Sequence, residues 1–177
     1  MRPEKFSEFN FTISIEAVAD AVKKSQSYSI EERIRRFDDI AAKQGAVMGA
    51  AIQLGSLGVP MPLVDHALMV LLVLFECFEA EVPDLPSIKP KIVQDAFDRN
   101  AEAIRFFDGI PENEAAELQQ VYVKNMKEHT LLAFLTSYLQ DNLVGITRET
   151  ELVRRCCWVM TDAYVVAYHE YLEAQTG

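Results

Sequence analysis

Residues 44–75 read QGAVMGAAIQLGSLGVPMPLVDHALMVLLVLF, and Asp65 and His66 are the only titratable side chains between Lys43 and Glu76. A quarter of the whole chain is charged, so a gap of this length marks enclosure rather than chance. Gly55, Gly58 and Pro60 interrupt it. Pro62 suits the first turn of a new helix, where its missing N–H has no partner to lose. The stretch therefore divides into the end of one helix and most of another, a hairpin over about 44–78 expected to be the most buried element. Residues 67–75, ALMVLLVLF, are apolar on every side, which a helix shows when neighbours surround it. A membrane span needs about 20 continuous apolar residues, and Pro60, Pro62, Asp65 and His66 leave only nine in the second arm. With no Lys/Arg cluster or aromatic belt beside it, no membrane contact is expected.

Upstream, apolar positions recur at three- and four-residue steps. A first helix is expected over 15–24, with Ser14 as its cap and Ile15, Val18 and Val22 on one face. Ser29 with Glu32 three residues on is a capping box, each side chain satisfying the other's free backbone N–H. From there one helix is expected to about residue 54, with Ile30, Ile34, Phe37, Ala41, Met48 and Ile52 facing inward. Beyond Lys43 its other face turns to glycine and alanine, in the rows Ala41-Gly45-Gly49 and Ala42-Ala46-Ala50. Each mid-helix glycine costs roughly 1 kcal/mol against alanine, and close packing would compensate. On that reading Gly45→Leu or Gly49→Leu should overpack, costing about 1–3 kcal/mol.

Downstream, Pro83, Pro86 and Pro90 enforce a non-helical link. Helices follow over about 91–107, with Val93, Phe97, Asn100, Ile104 and Phe107 on its inner stripe, and over 112–143 with a break near 125–129. A last helix over 148–174 is capped by Thr147. The expected fold is all-α: a single-domain helical bundle of six or seven helices over residues 1–177, with 1–13 an irregular N-terminal arm. FECFEA (75–80) and HEYLEA (169–174) close two hairpins bent at Gly58 and Gly145, an echo that leaves duplication open.

Three cysteines, Cys77, Cys156 and Cys157, form no CxxC pair and lie in apolar helical context. That fits reduced core thiols and a cytoplasmic setting. The formal net charge of −10 is uneven: residues 1–60 balance, 61–128 hold thirteen acids against six bases, and 129–177 hold six against three. Such a surface repels phosphate backbones, so direct nucleic-acid binding is not expected. It can instead steer a basic protein partner.

No P-loop, GxGxxG, GxSxG, HExxH or Glu-x-x-His pattern occurs. The residue pairs Asp65-His66, Glu128-His129 and His169-Glu170 point about 100° apart on a helix and so do not share one proton. Glu76-x-x-Glu79 followed by Asp95-x-x-Asp98 places two carboxylate pairs on single helix turns. This resembles the ExxE and ExxD pairs of all-α nucleoside-triphosphate pyrophosphohydrolases, over about 25 residues. Phe75 stands where that family carries a further Glu, and Asp95 replaces Glu. The resemblance implies Mg²⁺ held by Glu76, Glu79, Asp95 and Asp98 in a nucleotide hydrolase, the enzymatic alternative. The last helix carries Tyr164, Tyr168 and Tyr171 on one stripe, a core edge or an interface, the latter implying a homodimeric helical scaffold.

The favoured function is non-enzymatic: an acidic interaction protein with no catalytic residues, metal or cofactor. Its most concrete form is a small inhibitor or immunity-type protein that occludes a basic protein partner. The expected contact residues are Glu76, Glu79, Glu81, Asp84, Asp95, Asp98, Glu102, Tyr164, Tyr168 and Tyr171.

Overall fold

A computed structural model of the chain describes residues 13–108, 110–111, 114 and 126–176. Among these residues the fold is all-helical, with α1 (Ile15–Ser27), α2 (Ile30–Lys43), α3 (Gly45–Ser56), α4 (Met61–Glu81), α5 (Pro90–Phe107), α6 (His129–Asn142) and α7 (Arg148–Thr176). The expected N-terminal arm and the first part of the 112–143 helix fall largely outside the described residues.

The polar caps act as their sequence dictates. Ser14 Oγ accepts the Ala17 N–H at 3.0 Å. The Ser29–Glu32 box closes in both directions at 3.2 and 2.7 Å. Thr147 Oγ1 accepts the Thr150 N–H at 3.2 Å, and Thr150 Oγ1 accepts the Thr147 N–H at 2.9 Å. At the end of α3, Gly58 adopts φ 84°. There Val59 N–H bonds to Leu54 O at 3.1 Å and Gly58 N–H to Gly55 O at 3.0 Å. This 6→1 and 5→2 pair, with Leu54 and Val59 both buried, ends the helix on a left-handed residue.

Helix α4 is the axis of the bundle. Every residue from Leu71 to Phe78 is buried, and α1, α3 and α7 pack around it. By length and composition alone α4 could cross a membrane; here its apolar surface is covered by neighbouring helices. Phe78 stacks on Tyr164 at 5.0 Å between ring centroids and meets Tyr168 edge-on at 5.3 Å. Cys77, Cys156 and Cys157 are buried free thiols in the same core. Burial pushes the Cys77 and Cys156 thiols up to about 12.

Two features of the expected second helix are corrected. It is not continuous: Gln44, at φ −131° and ψ 45°, separates α2 from α3. The buried Gln44 amide explains the break. Its Oε1 accepts the Ile88 N–H at 2.8 Å and its Nε2 reaches Pro86 O at 3.4 Å, so the joint serves the proline link. Nor does the Ile30–Ile34 stripe face inward; both residues are exposed. Instead α2 buries Ile40 and turns Arg36 toward α4, because carboxylates near the end of α4 require partners there.

Candidate functional site

The carboxylate pair of α4 is held by cations from α1 and α2. Glu76, 2% exposed, accepts from Tyr28 OH at 2.7 Å and from Arg36 Nε, with Lys24 Nζ at 2.6 Å. Glu79 accepts from Arg36 Nη2 and from Lys43 Nζ at 2.6 Å. The Arg36 guanidinium also lies over the Phe75 ring, 4.9 Å from its centroid. Burial alone would raise both carboxyls. The bonds from Arg36, with Lys24 and Tyr28 on Glu76 and Lys43 on Glu79, outweigh it and hold both below the usual carboxylate range.

This clasp removes Glu76 and Glu79 from the acidic surface the sequence suggested, because their charge is spent inside the fold. The other two expected Mg²⁺ ligands have partners of their own. Asp95 pairs with Lys91 at 2.8 Å and Asp98 accepts from Gln94 at 3.1 Å, each along α5. Among the described residues no group of three or more His, Cys, Asp and Glu side chains is placed to hold a metal ion. The tyrosine stripe is corrected too. Tyr164 and Tyr168 are buried against Phe78 and only Tyr171 is partly exposed, so the stripe is a core edge and offers only Tyr171 as a surface contact. Burial raises the Tyr164 hydroxyl well above its usual range.

Of the remaining expected contacts, Glu81, Asp84, Asp98 and Glu102 are exposed. Asp65 is also exposed, while the half-buried His66 places Nδ1 3.1 Å from the Tyr138 hydroxyl. The two neighbours do serve different surroundings. Arg154, near the paired cysteines, binds the loop carbonyls of Leu143 and Gly145 rather than a thiol.

A different surface emerges on α3. Its inner face, with Val47, Ala51 and Leu54, is buried, whereas Gly45, Gly49, Ile52, Gln53 and Ser56 are exposed along one stripe. A Cβ built at Gly45, Gly49 or Gly55 meets nothing within 4 Å. The expected close packing on the glycines is therefore absent, and the hairpin over 44–78 is buried along α4 but half open along α3.

The open stripe runs toward both hairpin bends. Arg148 Nη1 reaches Leu57 O at 3.5 Å, and Cys156 Sγ reaches Ala50 O at 3.5 Å. These two contacts set α3 antiparallel to α7 and bring the Gly58 and Gly145 bends to one end of the bundle. There Leu57 and Met61 are exposed, and Val144 and Ile146 are each 87% exposed. No residue in 45–64 or 142–147 carries a charge. Glu81 ends α4 and Asp84 follows it, at the opposite end of the helix, about 30 Å away at 1.5 Å per residue. The missing charge over 45–64 is legible in the sequence, where it suggests enclosure; the packing instead leaves the outer side of α3 open. Compared with known proteins, the chain matches no family model, no curated protein and no solved structure.

Proposed function

We propose that this chain is a non-enzymatic interaction protein that binds a protein partner through the outer face of α3 and the adjoining hairpin bends. The observation that supports this reading is the exposure of Ile52, Leu57, Met61, Val144 and Ile146 on uncharged segments of a chain whose net charge is −10. Apolar residues scattered singly on a surface are ordinary, whereas several gathered at one end mark a contact surface. Gly45 and Gly49 add a steric reason: without side chains there, a partner helix can approach the α3 backbone closely. The partner chemistry is thus an apolar helix or loop, with the acidic remainder of the surface favouring a partner of basic net charge.

A second reading retains the acidic end. Exposed Glu81, Asp84, Asp98 and Glu102 would bind a basic protein directly, in the manner of an inhibitor or immunity protein. The two readings separate in a quantitative bait comparison using Ile52→Glu and Glu102→Lys chains beside the wild type. A partner kept by Glu102→Lys and lost from Ile52→Glu supports the α3 surface. The reverse pattern supports the acidic end, and a partner indifferent to both overturns each reading.

A further inference from the structure

We propose that the cavity between α5, α6 and α7 binds one neutral, largely apolar small molecule of two or three rings. Its volume is about 380 Å³. The space opens to solvent on one side, and its volume falls in the range of ligand pockets. A cavity of roughly 150 Å³ accommodates one benzene, so two or three rings fit the space. The walls are apolar side chains from three helices: Ala96 of α5, Leu132 of α6, and Trp158, Val165 and Val166 of α7.

The charged groups around these walls are largely tied to one another. Arg99 donates from Nε and Nη2 to Asp162 Oδ2 at 2.9 and 2.8 Å. Lys127 Nζ stands 3.9 Å from Glu173 Oε1. His169 Nε2 lies 3.0 Å from Glu128 Oε1, and the buried Glu128 also accepts the Ile13 N–H at 3.1 Å. The exposed Glu170 adds a further negative charge to the lining, so an anionic ligand would have to break one of these pairs or sit unmatched against apolar walls, and either is costly. A neutral ligand leaves the pairs intact and finds in Asn100 a polar side chain within the lining.

Glu128 gives this corner a second peculiarity. It is a non-glycine residue in the left-handed region, at φ 58° and ψ 56°. That conformation costs roughly 1–2 kcal/mol and turns a fully buried carboxylate onto His169. Strain of this kind gathers at binding sites, and here it fixes a ring that lines the cavity.

The chain's single tryptophan lines the cavity, so occupancy is read directly. The probe is N-phenyl-1-naphthylamine, a neutral molecule of three rings, titrated into the full chain while Trp158 emission is followed. The expected result is saturable quenching with transfer to the probe at one equivalent. The anionic anilinonaphthalene sulfonate should bind at least about tenfold more weakly, and Val166→Phe should weaken the signal by narrowing the space. Non-saturable quenching, equal affinity for the anionic probe, or an undiminished signal in folded Val166→Phe overturns the proposal. Should that variant not fold, 5-fluorotryptophan at position 158 decides in the native sequence. Its ¹⁹F resonance shifts to a new position at saturation if the cavity is the site and stays in place if it is not.

Discussion

Replacing Arg36 with methionine tests whether the acidic pair of α4 belongs to the fold or to the surface. Among the described residues, Arg36 is the one bonded to both Glu76 and Glu79. A hydrogen bond to a charged group contributes about 1.5–3 kcal/mol, and stripping one partner from a buried ion pair costs about 3–5 kcal/mol. The loss here falls below the sum, because Lys24 and Tyr28 remain on Glu76 and Lys43 remains on Glu79. We expect about 2–4 kcal/mol, or a melting temperature lower by roughly 5–15 °C for a chain of this size. Arg36→Lys should recover less than half, since one ammonium cannot reproduce the two-armed fork. The assay is urea and thermal unfolding at neutral pH, completed as a double-mutant cycle with Glu76→Gln. The cycle should show coupling above about 1 kcal/mol. A loss under about 0.5 kcal/mol, or strict additivity, would refute the clasp and return Glu76 and Glu79 to the acidic surface.

The same pair sets an acid limit. Both folded carboxyls are depressed, so their stabilisation is full above the unfolded value of about 4.3 and is lost as pH falls through the folded value. Melting temperature should drop below about pH 4, and Glu76→Gln should blunt that drop. Gly49→Ala and Gly58→Ala should move stability in opposite directions. The first gains about 0.8–1 kcal/mol of helix propensity on an open face, and the second loses about 1 kcal/mol or more at φ 84°. Gln44→Leu leaves the buried Ile88 N–H without its acceptor and should cost about 1–3 kcal/mol, seen in chemical unfolding. An unchanged midpoint would mean that the proline link is not anchored there.

Local rules reached much of this fold. Ser14, Ser29, Glu32, Thr147, Gly58 and the proline link announce their caps and bends through neighbours three or four residues away, and ALMVLLVLF announces its own enclosure. What escaped was decided across long sequence separations. Arg36 turns inward because Glu76 lies 40 residues later, which rotates the inner face of α2 away from Ile30 and Ile34 while Phe37 stays packed on the core. Gln44 breaks a helix for Ile88, 44 residues on. Glycines at 45 and 49 look alike in sequence whether a neighbouring helix covers them or none does. Their openness therefore appeared only with the packing, and it shifted the candidate surface from the carboxylates of 76–102 to the uncharged face of α3. The pairing of Glu128 with His169 joins residues 41 apart and had no local signal at all.

On the proposed function, the outer face of α3 stays bare for a partner. A photo-crosslinking amino acid at position 52, introduced in living cells with either Gly49 or Gly49→Leu beside it, tests this most directly. One discrete adduct is expected with Gly49 and its loss with Gly49→Leu, although the leucine chain melts no lower than the parent. An adduct undiminished by Gly49→Leu, or one formed equally well from position 102, would contradict that function.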